Sequence, residues 1–154
     1  MPTSPSGFRD PGPRPVQGRF VLDVYRGGRL VEHVDESNLV VVNAGVILAG
    51  LLGGSIAAPG LTQLGVGTSM IPSDYGNTTL TNPYLRPLNA ADYPVLGSVR
   101  CAFELDAEEA NGMSIGEFGL FSAGGLLFAR KYRFFAPIPK DASTSLRGTW
   151  TIAF

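Results

Sequence analysis

Between Ile115 and Arg133 the chain reads Ile-Gly-Glu-Phe-Gly-Leu-Phe-Ser-Ala-Gly-Gly-Leu-Leu-Phe-Ala-Arg-Lys-Tyr-Arg, and no other stretch limits its fold so strongly. Two apolar runs flank Ala123-Gly124-Gly125, and adjacent glycines supply the positive φ that a tight hairpin turn requires. A two-residue loop at Gly124-Gly125 predicts Phe121 opposite Phe128, Gly119 opposite Arg130, and Glu117 diagonal to Arg130 on one face. A three-residue loop would set Glu117 opposite Lys131 instead. Either register gives the only charge of the first strand a cationic partner, which it needs if that face is covered. Phe118 and Leu120 occupy the other face. A strand apolar on both sides belongs inside a sandwich or beneath other subunits.

The 154 residues suffice for one domain with a single core, plus at most an arm. Hydrophobic residues make up 44% and charged residues only 16%, so the chain either packs deeply or hides surface against copies of itself. Twenty glycines and twelve prolines favour short strands and tight turns over long helices. A net charge of −1 argues against nucleic-acid binding, which needs a cationic excess. The single cysteine, Cys101, cannot form an intrachain disulfide and reads as a small buried hydrophobe. No secretory signal is visible. Leu39 to Leu61 is too interrupted by Asn43, glycines and Pro59 to be a spanning helix, so no membrane insertion is expected.

These features predict a mainly β fold: an antiparallel β-sandwich with one short buried helix and an extended N-terminal arm. Residues 1–18 are the arm, with Pro2, Pro5, Pro11, Pro13 and Pro15 and almost no aliphatic side chains. Such a segment cannot order itself, and a neighbouring subunit is expected to hold it. Residues 19–154 form the single domain, divided into an N-terminal hairpin, 19–36, and a core, 37–154. The hairpin turns at Gly27-Gly28. Asn43 is a plausible N-cap and Gly53-Gly54 a C-terminal stop for an apolar helix that should be buried. Thr62 to Thr68 reads as a strand, Ser69 to Pro83 as a polar loop, and Tyr84 to Val95 as irregular. Gly97 to Leu105 alternates as a strand, and Trp150, Ile152 and Phe154 share one face of a closing strand. Phe118, Leu120, Phe121, Phe128 and Trp150 should be core.

No catalytic constellation emerges. The lone histidine, His33, has no evident nucleophile or orienting partner. The turn Asp106-Ala-Glu-Glu-Ala-Asn-Gly112 gathers carboxylates without the spacing of a calcium loop, and reads as a solvated turn. Gly65-Val-Gly67 lacks the third glycine and the helix of a phosphate cradle. Asn77-Thr78-Thr79 matches a glycosylation sequon, without a secretion signal to give it meaning. No metal or cofactor is expected. A hydrolase reading would require at least two of His33, Asp106, Glu108 and Glu109 to converge. A carbohydrate-binding reading would use exposed aromatics in the long loop, with Tyr75, Tyr84 and Tyr93 as candidate glycan or partner contacts.

Several motifs together resemble a family of phage proteins, the tail-fibre or baseplate-attachment domains related to the phage tail-collar fibre protein. They are Asn38-Leu-Val-Val-Val-Asn-Ala-Gly45, Leu64-Gly-Val-Gly-Thr68 with Asn77-Thr-Thr-Leu-Thr-Asn-Pro83, and Asn111-Gly-Met-Ser-Ile-Gly-Glu-Phe-Gly-Leu-Phe121. Gly125-Leu-Leu-Phe-Ala-Arg130, Lys140 and Trp150-Thr-Ile-Ala-Phe154 complete the set, so the resemblance covers about residues 37 to 154. It implies a non-enzymatic module docking a fibre to a tail. Its expected partners are copies of itself (a homo-oligomer, with a trimer among the candidates) and neighbouring tail or fibre proteins of the virion. The chain would be made in the bacterial host cytoplasm. The extra hairpin and arm in front, and the lack of a fibre shaft or receptor-binding tip behind, depart from the pattern. They leave a capsid decoration, head-fibre or connector protein as the alternative.

Overall fold

The structure is a computed structural model that describes residues 15–55 and 60–154. Most of the N-terminal arm, residues 1–14, therefore lies outside the described residues. The elements follow as β1 (Gln17–Arg26), β2 (Arg29–Val40), α1 (Asn43–Leu52), β3 (Leu61–Gly67), β4 (Tyr84–Pro87), β5 (Ala90–Asp92), β6 (Ser98–Leu105), β7 (Ser114–Ile115), β8 (Glu117–Ser122), β9 (Leu127–Tyr132), β10 (Ile138–Pro139) and β11 (Thr144–Ala153). Nine strands make one antiparallel sheet in the order β4-β3-β8-β9-β2-β1-β11-β6-β5, and β10 pairs with β7 in a separate ribbon. The sheet curls until its halves face each other. Phe20 of β1 meets Phe118 of β8 with ring centroids 5.0 Å apart, and one apolar cluster draws on both halves.

Two segments carry the chain from layer to layer. β2 pairs with β1 up to Asn38, then gives Leu39 and Val40 to β9. On the opposite side, β4 pairs with β3, the Leu88 N–H donates to Thr62 O, the Asn89 N–H donates to Ala102 O, and β5 continues along β6. Residues expected to be irregular are thus one bent strand that closes the sandwich. Pro87 is accommodated because it ends β4 at a sheet edge.

The N-terminal hairpin is not an appendage to a separate core. β1 lies between β2 and β11, and Phe20, Leu22 and Val24 are buried. The Phe20 ring packs against Phe103, Phe118 and Trp150 at 5.7, 5.0 and 4.9 Å. β2 also runs unbroken through the boundary drawn at residue 36.

The central hairpin keeps the two-residue register near its base, with Gly119 opposite Arg130. A bulge between Leu120 and Phe121 then sets Phe121 opposite Leu127, not Phe128. Cross-strand partners on a regular ladder share a face, so the extra residue lets Phe128 join the inner core while Phe121 stays outside. Of the two adjacent glycines, only Gly125 has positive φ, at 82°.

Every residue of β8 is buried. Its inner side chains, Phe118 and Leu120, join the main core. Its outer face is sealed by the same chain: Leu80, from the connection between β3 and β4, packs with Val41, Phe121 and Leu127. Of the two covers expected for this ribbon, the interior of a sandwich or neighbouring subunits, the chain itself supplies the cover on both faces.

α1 differs from expectation in its cap and in its burial. Val42 is the N-cap, without a side-chain hydrogen bond, and Asn43 is already helical. Backbone carbonyls satisfy the first turn instead, with the Ala44 N–H donating to Val41 O and the Gly45 N–H to Val42 O. Among its residues only Ala44 and Ile47 are buried, and Leu52 is 91% exposed. One turn-spaced stripe packs on the sheet, and an all-apolar helix leaves the rest in solvent. Phe154 lies beyond β11 and is exposed, unlike Trp150 and Ile152.

Candidate functional site: a clasped loop and two apolar clefts

Residues 68–83 contain no helix or strand, yet their course is fixed by a buried ion pair beneath them. Arg130 Nε donates to Glu117 Oε2 at 2.7 Å. The other carboxylate oxygen, Oε1, accepts the N–H groups of Thr81 at 2.7 Å and Ser69 at 3.2 Å. Arg130 reaches the same loop, donating to Ile71 O at 2.9 Å, Asn77 Oδ1 at 3.2 Å and Ser73 Oγ at 3.3 Å. Gly67 is required because a Cβ there would strike the Glu117 carboxylate. A carboxylate and a guanidinium facing away from the core have become the clasp of a surface loop. The loop presents Ile71 and Tyr75, the latter 63% exposed.

The acidic turn is organised by a second buried cation. Lys140 Nζ donates to Asn111 Oδ1 at 2.9 Å, Asp141 O at 3.1 Å and Ala107 O at 3.3 Å. Burial lowers its pKa, while the surrounding carboxylates oppose that shift. Glu109 is not free in solvent as expected for this turn. It accepts from Arg86 Nη1 at 2.8 Å, the Asp106 N–H at 2.8 Å and the Tyr84 hydroxyl at 3.2 Å. Burial, then the Glu109 contact, raises the Tyr84 pKa.

The three candidate tyrosines occupy three different settings. Tyr84 is tied to the acidic turn, Tyr75 sits on the clasped loop, and Tyr93 follows β5 at the rim of a groove. They do not form one aromatic platform. His33 Nδ1 lies 2.5 Å from Asp23 Oδ1 on the adjacent strand, so the histidine is engaged away from the acidic turn. Cys101 is buried, and burial pushes its thiol up to about 11. Among the described residues no group of three or more His, Cys, Asp or Glu side chains could hold a metal ion. Among them, too, no helix is long and apolar enough to cross a membrane.

Among the described residues, two clefts with apolar side chains in their walls open on the surface. The first, about 340 Å³, lies where β9 leaves β2 after their two paired positions. Phe20, Leu22 and Phe118 line it, and two ion pairs bridge it. Lys131 Nζ stands 2.5 Å from Glu36 Oε2, so this cation serves β2 and not Glu117. Arg133 holds both oxygens of Glu32, at 2.7 and 3.0 Å. At the rim Phe134 and Phe135 meet edge to face at 4.8 Å, with Phe135 92% exposed. The second cleft, about 480 Å³, runs between α1 and the ends of β6 and β11. Leu48, Leu51, Val99, Phe128, Ile152 and Phe154 are among its walls.

Sequence reasoning missed both clefts and the roles of Lys140, Arg86 and Arg133. Lys140 stood in a resembling motif without a role, and Phe134-Phe135 before Ala-Pro was the one visible sign of a protruding aromatic pair. Comparisons with protein-family models, with curated proteins and with solved structures found no match.

Proposed function

We propose that this chain is a non-enzymatic structural component of a bacteriophage virion, a tail or baseplate protein or a tail-fibre attachment adaptor. It works by docking against copies of itself and neighbouring virion proteins. The observation that carries the reading is the amount of large apolar surface left exposed on a chain of so few charges. Phe134, Phe135, Leu51, Leu52, Tyr93 and Leu96 are all exposed, and charged residues are 16% of the chain. Phe134 and Phe135 pack on each other at 4.8 Å, Leu51 and Tyr93 line one groove, and apolar surface gathered in this way marks interaction sites. The motifs that resemble tail-fibre attachment domains add support, because they coincide with the parts that build the clasp. Glu117 and Arg130 lie in two of them, and Thr81 and Ser69 lie within or beside a third.

Quantitative mass spectrometry of gradient-purified particles and of separated head and tail fractions tests this. The chain should be present in stoichiometric amount with the tail. Its absence from particles overturns the virion assignment. Recovery with heads transfers it to a decoration or connector protein.

A further inference from the structure

We propose that the open edge of β2, in the cleft where β9 leaves it, takes up an extended strand from another polypeptide. The proposal rests on the docking reading above and names the form of the contact. β2 is a strand of 12 residues without proline, and it pairs with β1 from Arg29 to Asn38. Its other edge is paired only at Leu39 and Val40, with Arg130 and Ala129 of β9. Next along that ladder the Val41 N–H donates to Phe128 O, and on the other side Lys131 Nζ donates to Ser37 O at 3.0 Å. Main-chain groups alternate between the two edges of a strand, so those of His33, Asp35 and Ser37 face the same way as those of Leu39 and Val41. Among the described residues no partner meets the Ser37 N–H or either main-chain group of His33 and Asp35. Across the gap the Arg133 N–H donates to Gly116 O on the β8 side, so the main-chain groups of Tyr132 point back at β2.

Side chains leave this edge uncovered. Asp35 turns to Arg19 at 2.7 Å and His33 to Asp23 at 2.5 Å, both partners on β1. Long open edges are usually blunted by proline, bulges or an inward-pointing lysine. Lys131 does this at the Ser37 carbonyl, and the register shift with β1 lies past His33, towards the hairpin turn. The stretch between keeps its donors and acceptors. Beneath it lies the cleft of about 340 Å³, within the range of about 300–1,000 Å³ that ligand sites occupy. Phe20, Leu22, Val34 and Phe118 line it.

These features specify the occupant. Unpaired donors and acceptors at every second residue, above an apolar trough, are matched by another strand. Its main chain bonds the edge, and its alternate side chains enter the trough. The charges in the walls are already matched, Lys131 with Glu36 and Arg133 with Glu32, so those inward side chains should be uncharged. β9 and the exposed Phe134-Phe135 pair wall the far side. A single extended strand fits between such walls, whereas the sheet of a folded second copy would meet β9.

The test adds to the full chain a capped, fluorescein-labelled heptapeptide that alternates valine and threonine. Fluorescence anisotropy should show saturable binding, and hydrogen exchange at the His33, Asp35 and Ser37 amides should slow at least tenfold. Methylating the main-chain nitrogens of either the valines or the threonines, whichever set faces β2, should weaken binding at least tenfold. Asp35→Pro removes an outward N–H without touching the β1 ladder, and should weaken binding equally. Asp35→Ala loses the same Arg19 ion pair and should bind as the parent does, with circular dichroism confirming the fold of both. Absence of binding overturns the strand contact. Binding that neither methylation nor Asp35→Pro weakens overturns it as well, and marks adhesion to apolar surface. A parent self-association that Asp35→Pro abolishes gives the edge to a second copy and overturns the assignment to another polypeptide. Particle fractionation decides the virion reading separately, since it does not depend on which edge is used.

Discussion

Glu117 is the one acidic side chain that is buried among the described residues, and three donors converge on its carboxylate. Replacing it with leucine strands the Arg130 guanidinium and removes the acceptor for two loop amides. Breaking a buried pair in this way costs about 3–5 kcal/mol. Urea unfolding of Glu117→Leu should show that loss, and hydrogen exchange should accelerate first at Ser69 and Thr81. Near-neutral stability would mean the clasp is not a stability determinant. Gly148 sets a second limit, because a Cβ there would meet Val21 O and stand 2.5 Å from the Phe103 ring. Gly148→Ala should therefore destabilise by about 1–3 kcal/mol in the same assay, as overpacking does. Asp141 gives the acid dependence. It accepts from the Ser143 N–H, the Ser143 hydroxyl and the Thr144 hydroxyl, and these bonds hold its pKa below the ordinary 3.8. A lowered carboxylate pKa contributes stability that is present above about 3.8 and is lost as pH falls through the folded value. Asp141→Asn should flatten the acid limb of the stability curve below pH 4 and change it little in shape above.

The elements show what local pattern can and cannot reveal. The alternation of β6 and β11 made their buried faces legible, since period-two patterning reports burial directly. The hairpin base was legible for the same reason, together with the Glu117–Arg130 diagonal. The bulge at its tip was not, because which phenylalanine faces inward depends on packing from strands distant in sequence. α1 was legible as a helix and misread as buried. Its all-apolar composition carries no stripe, so composition could not tell which side meets the sheet. The contrast is measurable: Ile47→Ala should cost about 2–5 kcal/mol by urea unfolding, as core truncations do. Leu52→Ser, at a residue 91% exposed, should stay within about 0.5 kcal/mol of the parent. Equal costs would mean that the outer face of the helix is packed. Lys140 and the acidic turn were opaque because a buried ammonium is recognised only by three carbonyl-type acceptors brought together by the fold.

For the molecule as a whole, the sandwich followed from many short alternating strands, while its closure by two layer-switching segments depended on register that no single strand encodes. The loop 68–83 covers the central ribbon, which leaves the α1 groove and Phe134-Phe135 as the apolar surfaces open to a partner. A double variant, Phe134→Ser with Phe135→Ser, should leave the unfolding midpoint nearly unchanged while abolishing incorporation into particles in a complementation assay. Normal incorporation would remove the aromatic rim from the interface. The most direct measurement is an electron-microscopy map of the intact particle at side-chain resolution. Density for this chain should lie in the tail, with other polypeptides seated on the α1 groove and on the phenylalanine pair. A chain found with both surfaces open to solvent, or not found in the particle, would contradict it.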